Sequence, residues 1–131
     1  MRRTKDAELK ISKRGVLREA LQKLGREGEP IRDAYGIIGY SFPDFILVAK
    51  PMPYGEIVSC HKDIIWKAIR EAKKILFYIA INEAFYEFDP RFIMSHPESF
   101  VNRRRNIEMI NFSIRWGKRA NFIPKAQLSL F

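Results

Sequence analysis

Three features of the chain predict an α/β fold. Val16, Leu17, Ala20, Leu21 and Leu24 recur on one helical face. The stretch from Ala34 to Cys60 is rich in Ile, Val, Phe and Tyr and is broken by Pro43, Pro51, Pro53 and Gly55. The run Ile75–Ile81 is apolar without interruption, too short for a helix and suited to a strand buried on both faces. Helices alternating with strands in this way call for layers of helix and sheet rather than a bundle or a barrel.

Taken in order, the first element is an amphipathic helix over about residues 6–25, stopped by Gly25 and by Gly28-Glu29-Pro30. Three short strands follow, at about 34–41, 44–49 and 56–60. Asp63 is placed to cap a second helix with Ile64, Ile65, Ala68, Ile69 and Ala72 inward, ending near Lys73-Lys74. The Ile75–Ile81 strand comes next, then a strand over Ala84–Phe88. Ser95-His96-Pro97-Glu98 resembles a helix start and Gly117 a C-terminal cap, with Ile107, Ile110 and Ile114 on the inner side. That last helix would carry Arg103, Arg104 and Arg105. One domain is expected over residues 1–122, with a tail over 123–131.

Composition narrows the class. The chain has 131 residues, 47% of them hydrophobic and 13% aromatic, enough for a packed core and against disorder. No apolar run approaches the roughly 20 residues of a membrane span, and Met1-Arg2-Arg3 leads into no secretory segment, so a cytoplasmic protein is expected. Cys60 is the single cysteine; with His61 and the distant His96 it gives no zinc-ligand spacing. The two histidines read as ordinary polar contacts and Trp66 as a core residue.

The formal net charge is +9 and its distribution is uneven. Residues 1–32 hold ten basic and five acidic side chains, 33–100 hold seven and nine, and 101–131 hold seven and one. Basic ends around a slightly acidic middle suit a polyanion, because Lys and Arg that neutralise phosphates release counterions. Nucleic acid is the expected partner class.

Several segments resemble the PD-(D/E)XK nuclease superfamily, and among its members the archaeal Holliday junction resolvases. Gly15 and Glu19 reproduce a glycine and a glutamate four residues apart on the first helix. Pro43-Asp44-Phe45-Ile46-Leu47-Val48 resembles the strand that carries the first metal-binding aspartate, and Tyr78–Ile81 followed by Phe85–Phe88 resembles the strand pair after the second helix. The resemblance implies a restriction-endonuclease-like core of helix, three strands, helix and strands, here with a basic C-terminal helix. It implies Mg²⁺ beside a scissile phosphate, a lysine that helps to activate water, and a homodimer.

The chain departs from the family at the acid-x-Lys triplet, because Gly55-Glu56-Ile57-Val58-Ser59-Cys60-His61-Lys62 contains none. With Glu56 as the acid, Val58 falls at the lysine position. With Ser59 there instead, the acid is lost and His61 replaces the lysine. Strand alternation does not choose between these registers. Glu56 keeps a carboxylate, so the candidate catalytic set is Glu19, Asp44, Glu56 and Lys62, with Asp44 and Glu56 on the metal.

Arg103, Arg104, Arg105, Arg115, Lys118 and Arg119 alternate with Trp116 and Phe122, a mixture suited to phosphate contacts and base stacking. The C-terminal Gln127-Leu128-Ser129-Leu130-Phe131 resembles the peptide by which polymerases and repair proteins dock on a sliding clamp, which makes Gln127, Leu128, Leu130 and Phe131 candidate anchors. Packing of that tail on its own domain or on a twin subunit is the competing reading. The expectation is a DNA-binding protein with a nuclease-like fold that cleaves branched or single-strand-containing DNA. The alternatives are a non-catalytic nucleic-acid-binding protein, either a degenerate nuclease or a winged-helix-like module, and a clamp-binding adaptor.

Overall fold

The structure is a computed structural model, and it describes residues 5–120. Helix α1 (Lys5–Leu24) ends where Gly25 enters the left-handed region at φ 63° and its N–H bonds to the Leu21 carbonyl. Strands β1 (Glu29–Asp33), β2 (Gly36–Ser41) and β3 (Phe45–Lys50) form an antiparallel meander. Strand β4 (Ile57–His61) leads into α2 (Lys62–Arg70), and β5 (Lys74–Ile79) returns parallel to β3. Then come β6 (Ala84–Phe88), α3 (Pro90–Ser95), β7 (Phe100–Arg104), β8 (Ile107–Ser113) and β9 (Lys118–Ala120).

The main sheet has six strands in the order β1-β2-β3-β5-β6-β9, and β4-β8-β7 make a second, antiparallel sheet. Strand alternation divides the core into two clusters. Phe45, Leu47, Leu76 and Tyr78 face α1 and pack with its Val16, Ala20 and Leu24. Ile46, Val48, Ile75, Phe77 and Ile79 face the other way, onto Ile64, Ile65 and Ala68 of α2, Ile93 of α3, and Val58, Ile110 and Phe112 of the second sheet. Strand β5 is buried on both faces, as its unbroken apolar sequence predicts. It ends two residues early: Ala80–Asn82 form a 3-10 turn that leaves Ile81 exposed.

The α/β class stands, with corrections to its elements. The strand expected at 34–41 is the second arm of a hairpin. Asp33 accepts hydrogen bonds from the backbone N–H of Tyr35 and of Gly36, at 2.7 and 3.0 Å, and this turn joins β1 to β2. Pro30 reads as a helix stop, yet β1 accommodates it because an edge strand has a neighbour on one side only. The strand expected at 56–60 exists but leaves the main sheet. Helix α2 begins one residue before Asp63, which lies in its first turn and does not cap it.

The largest correction is the basic C-terminal helix expected from Ser95-His96-Pro97-Glu98 to Gly117: its span holds the β7/β8 hairpin and a 3-10 turn over Ile114–Trp116, with α3 before it and β9 after it. Asp89 caps α3 by accepting from the Arg91 N–H, with Pro90 at the first helical position. His96, held extended before Pro97, stops it. Arg105 and Asn106, both left-handed at φ 53° and 65°, form the two-residue turn of the hairpin. Ile107, Ile110 and Ile114 share a helical spacing by coincidence. Trp66 is another correction: it is exposed on α2. Among the described residues no helix is long and apolar enough to cross a membrane.

Candidate nucleic-acid interface

The acids expected at a metal centre are held by separate partners. Glu19, half-buried on α1, accepts a hydrogen bond from the Tyr78 hydroxyl, and burial together with that carboxylate pushes the Tyr78 pKa up. Gly15 has open space where a Cβ would stand, so packing does not require glycine there. Asp44, exposed just before β3, lies 3.7 Å from Arg26, whose guanidinium sits over the Phe42 and Phe45 rings. Glu56, before β4, meets Arg115 at 2.6 Å. The strand headed by Asp44 is the third of the main sheet rather than the second, and the strand after Glu56 belongs to the other sheet. Among the described residues no group of three or more His, Cys, Asp or Glu side chains is gathered to hold a metal.

The cations divide as well. Lys62 opens α2 and reaches Glu108 at 2.8 Å; Arg103 meets the same carboxylate at 3.1 Å. These two partners, Lys62 first, hold the Glu108 pKa below the usual carboxylate range. Arg104 closes the β7/β8 ladder opposite Ile107, and Arg105 occupies the turn beyond it. Arg115 follows the far end of β8, and Lys118 and Arg119 lie exposed on β9, at the edge of the main sheet. The seven residues of β8 separate the two groups by roughly 20 Å. Trp116 packs against the core, with the His96 ring tilted over it at 3.9 Å between centroids, so it is not free to receive a base. Phe122, Gln127, Leu128, Leu130 and Phe131 lie outside the described residues.

A different set of residues converges on a cleft. A cavity of about 480 Å³ lies between Leu17 and Arg18 of α1 and the β1–β2 turn at Asp33 and Tyr35. A second, of about 420 Å³, shares Asp33 and Tyr35 and continues past Lys50, Ser59 and His61 to Asn102 and Arg105 on the β7/β8 hairpin. A smaller one, of about 140 Å³, joins them along Leu17, Ile38, Lys50 and His61. The cleft thus runs from α1 to the hairpin, with Arg18, Lys50 and Arg105 along it.

At its centre Asp33 and His61 meet at 3.1 Å, both largely buried. The Asp33 carboxylate already accepts two backbone N–H groups, so the His61 Nε2–H donates to its second oxygen, and Nδ1 remains an acceptor. Burial lowers the His61 pKa more strongly than the hydrogen bond and charge of Asp33 raise it, which favours the neutral ring. Tyr35 stands 64% exposed at the mouth, with the Arg105 guanidinium 5.9 Å from its ring centroid. Cys60, next to His61, is buried and its thiol is pushed up to about 12, so it offers no nucleophile.

Asp33, Tyr35 and Lys50 are not among the residues that the sequence pattern singles out, and His61 enters it only as an ordinary polar contact or as the lysine's replacement in the Ser59 register. Asp33-Ala34-Tyr35-Gly36 carries a turn pattern, which is the signal available for the first two. Lys50 and His61 come together only through the packing of two sheets. No family model, no curated protein and no solved structure matches the chain.

Proposed function

We propose that the protein binds nucleic acid, DNA in the first instance, along the cleft between α1 and the β7/β8 hairpin. The observation that carries this reading is the placement of Arg18, Lys50 and Arg105 along one cleft with the exposed ring of Tyr35 at its middle. Cations spaced along a groove follow a phosphate backbone, and an exposed aromatic ring accepts an unstacked base. The net charge of +9 acts in the same direction.

Mg²⁺-dependent cleavage is the second reading. It is favoured by the succession of α1, the antiparallel strands β1, β2 and β3, then β4 of the second sheet, α2, and β5 parallel to β3, an order that supports a restriction-endonuclease-like core apart from the place of β4. The separate pairing of Glu19, Asp44 and Glu56 weighs toward binding without cleavage.

One assay tests both. Single-stranded, duplex, flap and four-way-junction DNA, with matched RNA, are incubated with the protein in Mg²⁺ or EDTA at two salt concentrations. Salt-sensitive binding without cutting is expected. Metal-dependent cutting abolished by Asp44→Ala would replace this reading with the nuclease one, and absence of binding to every substrate would overturn both.

A further inference from the structure

Resting on the nucleic-acid reading and making it specific, we infer that the cavity between the β1–β2 turn and the β7/β8 hairpin holds a single unstacked nucleotide. Its base lies against Tyr35 and the apolar Ile107 and Met109, and its phosphate is directed to Lys50 and Arg105.

The lining combines three chemistries that a nucleotide needs together. Tyr35 supplies an exposed π-face, and Ile107 and Met109 give an apolar wall. Lys50 and Arg105 supply positive charge, and Ser59, Asn102 and neutral His61 supply polar groups for a base edge or a sugar. A bare anion has no use for the aromatic and apolar wall, and an apolar ligand has none for two cations. The volume of about 420 Å³ falls within the roughly 300–1,000 Å³ usual for small-ligand sites.

The carboxylate inside the cavity does not oppose a phosphate strongly. Asp33 is engaged by the Tyr35 and Gly36 N–H groups and by His61, so its charge is spread over three donors. The hairpin turn adds an independent observation. A two-residue turn of this kind favours Asn and Gly, yet its first position is Arg105, left-handed at φ 53°. The strained position places a guanidinium over the Tyr35 ring at the mouth of the cavity.

The test uses the four deoxynucleoside 5′-monophosphates and, separately, inorganic phosphate, titrated into the full-length ¹⁵N-labelled protein and followed by amide chemical shifts. Saturable shifts are expected at Tyr35, Ser59, His61 and Asn102 with at least one mononucleotide, and not with inorganic phosphate. Tyr35→Ala, at an exposed position whose amide spectrum reports an intact fold, should weaken that binding at least about five-fold, the lower end of what removal of one stacking ring does. Absence of saturable shifts at these residues, equal shifts with inorganic phosphate alone, or full affinity in Tyr35→Ala would each overturn the inference. A protein that binds oligonucleotides yet gives any of those results keeps the proposed function and loses the nucleotide site. One that binds mononucleotides here but no oligonucleotide does the reverse.

Discussion

One face of strand β3 runs between regions of opposite character. Ile46 and Val48 at its middle enter a dry core in which Phe77 meets Phe88 and Phe112 edge to face, at 6.1 and 6.2 Å. Lys50, at its C-terminal end, enters the cleft, where Tyr35 is exposed and Asp33 and His61 hold each other in a partly wetted site. The same strand therefore anchors the fold along its middle and lines the proposed binding cleft at its end. Stability should be concentrated around Phe77 and ligand recognition around Tyr35, and substitutions should separate the two properties.

The largest effect is expected from Phe77→Ala, which opens a cavity where the ring is fully buried between α2 and the second sheet. A loss of about 3–5 kcal/mol, read from urea unfolding, is expected. A loss below about 1 kcal/mol would break the contrast by showing that the core is loosely packed. Gly39→Ala comes next. An added Cβ would stand 2.8 Å from the Leu47 carbonyl oxygen on the adjacent strand, so the β2–β3 pairing must shift. A loss of about 1–3 kcal/mol is expected from the same measurement.

Ala72→Gly should act in the opposite direction. Helix α2 closes with bonds from the Ala72 N–H to the Ile69 carbonyl and from the Lys73 N–H to that of Ala68, which requires Ala72 to be left-handed at φ 54°. Glycine relieves that strain, and a gain of about 0.5–1 kcal/mol is expected with nucleic-acid binding unchanged.

The smallest effect concerns pH. His61 is lowered in the folded protein, so the unfolded chain takes up its proton first as pH falls. The stability this group contributes is present above its ordinary value near 6.5 and is lost as pH drops through the lower folded value. Asp33 and Asp63 oppose the shift, and Lys50 adds to the effect of burial. Urea unfolding at pH 7.5 and at pH 5 should show a decline for the wild type that is smaller in His61→Gln. Equal declines would place the pH sensitivity elsewhere.

The sequence disclosed the core better than the cleft, for a physical reason. Val16, Ala20 and Leu24 repeat with the helix and Ile75–Ile79 fill a strand buried on both faces, so local periodicity carries the information. The C-terminal segment misleads because Ile107, Ile110 and Ile114 fit a helical period, while the cue that decides the fold there is the Arg105-Asn106 turn, a weak hairpin signal without glycine. The cleft is not legible because Asp33, Lys50, His61 and Arg105 are brought together by the packing of two sheets across 72 positions of chain. Glu19, Asp44 and Glu56 fit the order of acids in a nuclease pattern, and the fold gives each its own partner.

The most direct test of the central claim is the salt dependence of DNA affinity in the wild type and in Arg18→Ala/Arg105→Ala, which removes two cations from the cleft without touching the core. Weaker binding is expected in the variant, with a slope of log affinity against log salt reduced by about 1 for each phosphate that is no longer neutralised, at unchanged unfolding stability. Wild-type affinity and slope in the double variant would show that nucleic acid, if bound, lies on another face, and would contradict the account.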